Sequence, residues 1–169
     1  MTLSKLLFSL LFLMALNTLN AQGWERIFGT PRKDIPTSLT ASPDGGYLLG
    51  GYTLEPTGIK HDILLYKTDV DGQLQWSKTI GKSGFSEQAY GLTTNPDGTY
   101  LMLGIRYHDS ENIDGRAWIV KLNAVGDTLW SRSFFANLCA DVAFDAKPLR
   151  NGSGYIITGK VCTDRKSVV

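Results

Sequence analysis

The sequence has little net charge, and its charged residues are not segregated. Of 169 residues, 17 are Lys or Arg and 16 are Asp or Glu, so the formal net charge is +1. A protein that binds nucleic acid needs a strongly basic face, and no block of like charge supplies one here. The balance therefore argues against nucleic acid as a partner, and the sequence has no charged tail.

Long hydrophobic runs are also scarce. The longest, residues 6–16, has 11 residues including one serine, which is too short to cross the ~30 Å core of a membrane as a helix. It follows Lys5 and precedes a polar stretch that ends at Ala21, a pattern typical of a secretory signal. We predict that residues 1–21 are a signal peptide cleaved after Ala21. The mature chain is then exported, to the periplasm, the cell surface or the medium, with no stable membrane span.

The sequence contains only two cysteines, Cys139 and Cys162. Export would place both in an oxidising compartment, where disulfides form. They flank a turn near Gly152, so a hairpin would bring them together at its open end. A disulfide is one alternative, and a pair of small, partly buried apolar side chains is the other.

Histidine is equally rare, and each of the two histidines, His61 and His108, precedes an aspartate. Adjacent residues of a strand point to opposite faces, so neither His-Asp pair is suited to act on one substrate. The sequence has no Gly-x-Ser-x-Gly motif, and its His and Cys spacing indicates no group of three or four metal ligands. We predict that both histidines are solvated loop residues, and that the protein has no catalytic, metal or cofactor site.

The sequence has almost no helical periodicity, but it contains an internal repeat. The sequence DGGYLLGG of residues 44–51 returns as DGTYLMLG at 97–104 and, more altered, as GSGYIITG at 152–159. A second marker keeps the same period of about 53 residues, and it consists of Trp24, Trp76 and Trp130. The repeats therefore run over 24–75, 76–129 and 130–169, within a domain spanning 22–169.

Each repeat contains short runs of strand composition separated by Asp-Gly or Gly-rich turns. The predicted strands are 24–28, 35–41, 47–53 and 62–68; then 76–80, 88–94, 100–106 and 117–122; then 130–135, 142–147 and 155–161. Four short strands per repeat are typical of a β-propeller blade. The sequence predicts an all-β fold of propeller-type blades with four antiparallel strands, two complete and one partial. A sandwich and a β-solenoid are the alternatives.

The recurring motifs resemble a known family. Trp-x-x-x-[Ile/Phe]-Gly, Asp-Gly-Gly-Tyr-Leu and Gly-x-Leu-x-Trp are similar to the repeat of secreted bacterial β-propellers. That resemblance implies an exported or cell-surface protein with roughly six to eight blades, of which this chain holds fewer than three. Because each blade buries a face on the next, an incomplete set leaves apolar faces open. A fragment of a longer protein, closure by self-association through the open blade faces, and a marginal open array are the three explanations.

Residues 72–76 also resemble the tryptophan-docking motif of quinoprotein-like propellers, in which the tryptophan packs between blades. The resemblance raises a quinone-dependent enzyme as an alternative, although the sequence has no vicinal cysteine pair to support it. We expect the repeated aromatic residues to pack between repeats; they are Trp24, Trp76, Trp130, Tyr47, Tyr100 and Tyr155.

Tyr107 is the remaining candidate for ligand contact, because it lies in a predicted loop that the first repeat does not match. Exposed aromatic rings stack well on sugars. The sequence thus predicts a non-catalytic, secreted or cell-surface protein for protein interaction or display. A glycan-binding accessory module is the alternative, and a quinone-dependent enzyme is the weaker one. The expected partner is an extracellular protein or a glycan.

Overall fold

The computed structural model describes residues 23–56, 58, 60–108, 115–134 and 140–161. Within them lie ten strands and no helix: β1 Asp34–Ala41, β2 Tyr47–Leu54, β3 His61–Thr68, β4 Leu74–Ile80, β5 Phe85–Thr94, β6 Tyr100–His108, β7 Arg116–Leu122, β8 Thr128–Phe134, β9 Val142–Pro148 and β10 Tyr155–Lys160. The predictions of a signal peptide, of cleavage after Ala21 and of a Cys139–Cys162 disulfide lie outside the described residues.

The strands form three antiparallel sheets. Sheet 1 has the order β1-β2-β3-β4, sheet 2 has the order β5-β6-β7-β8, and sheet 3 consists of β9 and β10. Within each sheet, consecutive strands pair, as expected where short turns connect them. The predicted fold class, all-β with two complete four-stranded antiparallel units and one partial unit, is confirmed in the described part of the chain.

An aspartate and a lysine fix the turn between the first two strands of each complete sheet. The backbone N–H of Gly46 donates to Asp44 Oδ1 at 3.0 Å, and Gly45 takes a φ of 85°. Lys67, from β3, then donates from Nζ to Asp44 Oδ2 at 2.6 Å. In sheet 2, Lys121 reaches Asp97 in the same way at 3.1 Å. The recurring lysine therefore holds the recurring turn.

The tryptophan-containing runs occupy a different place from the one the repeat suggests. β4 and β8, which contain Trp76 and Trp130, are the fourth strands of sheets 1 and 2. Residues 24–28 match them in sequence but form no strand, so the prediction of a strand there is wrong. β4 and β8 each pair with the third strand of their own sheet, whereas residues 24–28 pair with no described strand.

The sheets pack face to face, with their first strands β1, β5 and β9 side by side. One buried cluster fills the contact between sheets 1 and 2, and it includes Leu48, Leu65, Leu92, Tyr100 and Trp118. A second fills the contact between sheets 2 and 3, and it includes Leu101, Leu103, Ile119, Ala143 and Ala146. Sheet 2 is therefore buried on both faces, whereas sheets 1 and 3 each have one face against a neighbour.

Two tryptophans sit on glycines of downstream turns. The indole of Trp24 lies where a side chain at Gly72 would project, and the indole of Trp76 lies over Gly126 in the same way. Both glycines have a positive φ, 74° and 80°, which a side chain would strain. Each of these glycines is therefore required for two reasons: its backbone conformation disfavours a side chain, and a side chain would collide with the indole ring.

The first strand of every sheet carries a β-bulge. The register shifts between Pro36 and Ser38 in β1 and between Ala89 and Gly91 in β5. A shift opposite Thr158 and Gly159 leaves Phe144 as the extra residue of β9. A bulge turns its extra side chain away from the regular alternation of the strand. The residues turned in this way are Thr37, Tyr90 and Phe144.

Candidate functional site

Two of the bulge residues contribute to a row of aromatic rings that crosses all three sheets. Tyr90 of sheet 2 meets Tyr52 of sheet 1 edge to face, with ring centroids 6.2 Å apart. On its other side Tyr90 meets Phe144 of sheet 3 at 5.8 Å. We call Tyr52, Tyr90 and Phe144 the aromatic row. Edge-to-face contacts of this length are favourable, so the row is a fixed feature of the sheet packing.

A hydrogen-bonded chain of polar groups runs beside the aromatic row. Nε2 of Gln88 donates to Nδ1 of His61 at 3.2 Å, and the hydroxyl of Tyr90 donates to Gln88 Oε1 at 2.6 Å. Ser86 accepts the backbone N–H of His61 at 3.0 Å. Burial, with a smaller effect of Lys33, lowers the pKa of His61. The imidazole is therefore neutral at pH 7, with Nδ1 as an acceptor.

The prediction that both histidines are solvated loop residues is wrong for His61. It is the first residue of β3, half-buried, and its ring meets Tyr52 edge to face at 5.1 Å. Ser86 and Gln88 of the next sheet form hydrogen bonds with His61 at the start of β3. Sequence periodicity cannot show such contacts, because they join residues distant in sequence. His108 is exposed at the end of β6 and contacts the ring of Phe85 at 5.2 Å.

Asp62 does not act with His61, as the alternation of side chains along a strand predicts. Its carboxylate occupies the place where a side chain at Gly81 would project, whereas His61 faces Gln88 and Tyr52. The two side chains therefore have different neighbours, although the carboxylate of Asp62 opposes the lowering of the His61 pKa.

Tyr107 lies beside the aromatic row and is in a strand instead of the predicted loop. β6 extends to His108, and Tyr107 pairs with Ser86 of β5. Burial raises the pKa of Tyr107, and the nearby phenol of Tyr52 raises it further. His61 and Tyr107 are both half-buried near Tyr52, His61 through a ring contact and Tyr107 through this effect on its pKa. We call His61, Tyr107 and the aromatic row together the aromatic cluster.

A buried carboxylate lies close to this group. Glu87 is fully buried, and Nε of Arg106 donates to its Oε1 at 3.0 Å. Arg106 also lies over the ring of Trp118, 3.7 Å from the centroid. Oε2 of Glu87 has no hydrogen-bond partner among the described residues. Burial raises the pKa of Glu87 to about 7; Arg106 opposes the rise and Asp62 adds to it.

Glu87 belongs to a recurring set of acids that we did not predict from the sequence. Asp34, Glu87 and Asp141 stand 53 and 54 residues apart, at or near the start of each first strand. Asp34 accepts hydrogen bonds from the backbone and the hydroxyl of Thr30, at 2.5 and 2.8 Å. This acid holds the loop that leads into its sheet. The regular spacing of the three acids would have revealed them.

An apolar cleft of about 320 Å³ opens on the free face of sheet 1. Its walls include Ile27, Phe28, Ile35, Leu49 and Leu64. The hydroxyl of Tyr66, also in the wall, is buried and has no partner among the described residues. Burial raises the pKa of Tyr66, and the carboxylate of Asp34 raises it further.

The aromatic residues that recur in the sequence are placed as follows. Tyr100 is buried between sheets 1 and 2, where its hydroxyl meets Ser42, and Tyr155 packs against the cluster between sheets 2 and 3. Tyr47 contacts the ring of Trp24 at a centroid distance of 6.2 Å. Trp130 is about one-third exposed at the outer edge of sheet 2.

In the ranges that the structure describes, no group of three or more His, Cys, Asp or Glu side chains is arranged to hold a metal ion. The same ranges contain no helix with the length and apolarity needed to cross a membrane.

No family model matches the sequence, and no curated protein matches it significantly. The resemblance to secreted bacterial β-propellers therefore stays a prediction. Its support is the set of motifs in the sequence together with the antiparallel four-stranded sheets. The site itself has to be interpreted from its geometry.

Proposed function

We propose that this chain is a non-catalytic, exported binding protein that holds an extracellular protein partner against its aromatic cluster. The aromatic row carries this proposal, because it joins three sheets into one surface. Half-buried aromatic residues are the side chains that most often dominate protein interfaces. A bulge at the same position of each first strand supplies two of the three rings, so the backbone itself presents them.

The hydrogen bonds beside the row favour a protein over a sugar. Gln88, Ser86, His61 and Tyr90 already bond to one another. Sugar recognition depends on polar groups that read hydroxyls, in addition to an aromatic platform. A row of rings whose polar neighbours are satisfied internally is better suited to apolar side chains of a protein.

A glycan-binding accessory module is the second candidate, and Tyr107 favours it. The phenol of Tyr52 is near enough to raise the pKa of Tyr107, so the two residues together offer hydroxyls as well as rings. Aromatic side chains that combine an apolar face with a polar tip suit amphipathic ligands such as sugars.

Binding selections separate the two candidates. The purified chain is screened on a glycan array and against a displayed peptide library, in parallel with Tyr90→Ala, Tyr107→Ala and the control Val70→Ala. Val70 is exposed in a turn at the opposite end of sheet 1. We expect peptide ligands that both tyrosine variants lose and the control keeps. Glycan binding that Tyr107→Ala abolishes would favour the glycan-binding accessory module over the protein-binding role. Ligands whose binding neither tyrosine variant changes would contradict the assignment of the aromatic cluster as the binding site.

The quinone-dependent alternative has its own assay. Reduction of an artificial electron acceptor by the chain loaded with a quinone cofactor would contradict a non-catalytic role. We expect no turnover above that of the free cofactor.

A further inference from the structure

The two contacts between sheets are built on the same pair of strand positions. Leu48, the second residue of β2, and Leu92, third from the end of β5, share the first buried cluster. Leu101 and Ala146 hold those positions in β6 and β9, and they share the second cluster. All four are buried, with exposures of 0, 7, 0 and 2% in that order. One rule of packing therefore governs both contacts.

The same two strand positions are exposed to solvent in sheets 3 and 1, which lie at the two ends of the described stack of sheets. Ile156, the second residue of β10, is 62% exposed, and Leu39, third from the end of β1, is 61% exposed. Large aliphatic side chains on a sheet face are stabilised when their apolar surface is removed from water. Sheet 3 thus presents one half of the internal contact, and sheet 1 presents the other half.

The outer part of the open face of sheet 1 is already covered by the chain itself. Trp24 lies over Gly72, and Phe28 stacks on Tyr66 with ring centroids 5.5 Å apart. In the contact between sheets 1 and 2, β4 covers the outer part of the face in the same way. The inner part remains open, around Leu39 and the apolar cleft beside Leu49.

We propose that a second copy of this chain docks its β9–β10 hairpin onto the face of sheet 1 that carries Leu39, which we call the Leu39 face. Ile156 is the hairpin residue that contacts this face. The contact continues the packing already present between sheets 1 and 2 and between sheets 2 and 3. It joins two different faces head to tail, so successive copies extend the stack until it closes on itself. This interaction uses neither Tyr90 nor Tyr107, and it goes beyond the binding function proposed above.

Two charge-introducing variants test the docking, because each leaves one of the faces intact. Ile156→Glu keeps the Leu39 face, and Leu39→Glu keeps the Ile156 face. We expect the wild-type chain to form a complex of several copies in light scattering, and each variant alone to show the mass of one chain. An equimolar mixture of the variants should give twice that mass and stop there, because the pair has one working contact.

The matched control is Val125→Glu, which places the same charge at an exposed turn residue away from both faces. Circular dichroism and thermal unfolding of each variant establish that it is folded before its mass is compared. A wild-type chain that remains single at the highest concentration reached would overturn the proposal. So would folded variants that fail to pair in the mixture, or a control variant that dissociates the wild-type complex.

Discussion

At the scale of single residues, Glu87 is the group whose charge depends most on folding. Its folded pKa of about 7 lies above the ordinary value of 4.5, so folding favours the protonated carboxyl. The stability linked to this proton is fully present below pH 4.5 and is lost as the pH rises through about 7. Because each pKa unit corresponds to ~1.4 kcal/mol, the free energy of unfolding changes by at most about 3.5 kcal/mol over this range.

We therefore expect the wild-type chain to lose stability between about pH 5 and pH 8, and Glu87→Gln to flatten this dependence. Urea unfolding at a series of pH values measures it. Glu25→Gln, an exposed glutamate, serves as the control and should keep the wild-type slope. An unchanged slope in Glu87→Gln would show that Arg106 keeps the carboxylate ionised in the folded state.

The glycines under the tryptophans allow backbone strain and ring contact to be separated. Gly126→Ala introduces a side chain at a φ of 80° and directly beneath Trp76. Gly152→Ala introduces one at a φ of 70° where no atom lies within 4 Å. The conformation alone costs about 1–2 kcal/mol, so Gly152→Ala should lose about that much. Gly126→Ala should lose clearly more in denaturant unfolding; equal losses would mean that the indole moves aside freely.

At the scale of elements, the lysine of the third strand stabilises the turn between the first two strands of its sheet. Lys67 is buried, and its Nζ donates to Asp44, to the carbonyl of Thr68 and to Gln75. Lys67→Met keeps the length of the side chain but removes all three hydrogen bonds from Nζ, which we expect to cost about 1–3 kcal/mol of stability.

Lys147→Met is the matched control, because Lys147 pairs with Asp145 at 3.6 Å on the exposed surface of sheet 3. Such surface pairs contribute about 0–1 kcal/mol. Denaturant unfolding of both variants makes the comparison. A loss in Lys67→Met no greater than that in Lys147→Met would contradict the view that this lysine holds the β1–β2 turn.

Local signals were enough to predict the strands and their turns. Turn residues and alternating runs place all ten described strands within about three residues, because turn chemistry is local. The predictions that were wrong concern residues whose structure depends on contacts with residues distant in sequence. Residues 24–28 have strand composition but pair with no strand in the described ranges. His61 and Tyr107 lie in strands because adjacent strands extend beside them. The bulges at Tyr90 and Phe144, and hence the aromatic row, depend on a one-residue shift in the pairing of two strands, which the composition of either strand alone does not show.

At the scale of the whole molecule, stability should fall from the middle sheet outward. Sheet 2 is buried on both faces, so opening it breaks both buried clusters, whereas opening sheet 3 breaks only the second. In stacked repeats the free energy is roughly a sum over units and their contacts, so a unit with two contacts opens last. Sheet 3 also has the fewest strands to hold it in the described part of the chain.

We therefore expect β6 and β7 to exchange their backbone amides most slowly and β9 and β10 to exchange most rapidly, with sheet 1 between them. Hydrogen exchange followed by mass spectrometry of peptides from each strand measures the order, using Ile156→Glu so that association does not mask it. In the wild-type chain, raising the protein concentration should then slow β1 and β10 while β6 and β7 stay constant, because those two strands lie at the proposed contact. Equal rates in all three sheets would instead show that the stack unfolds as one cooperative unit, and that the contacts between sheets are as strong as the sheets themselves.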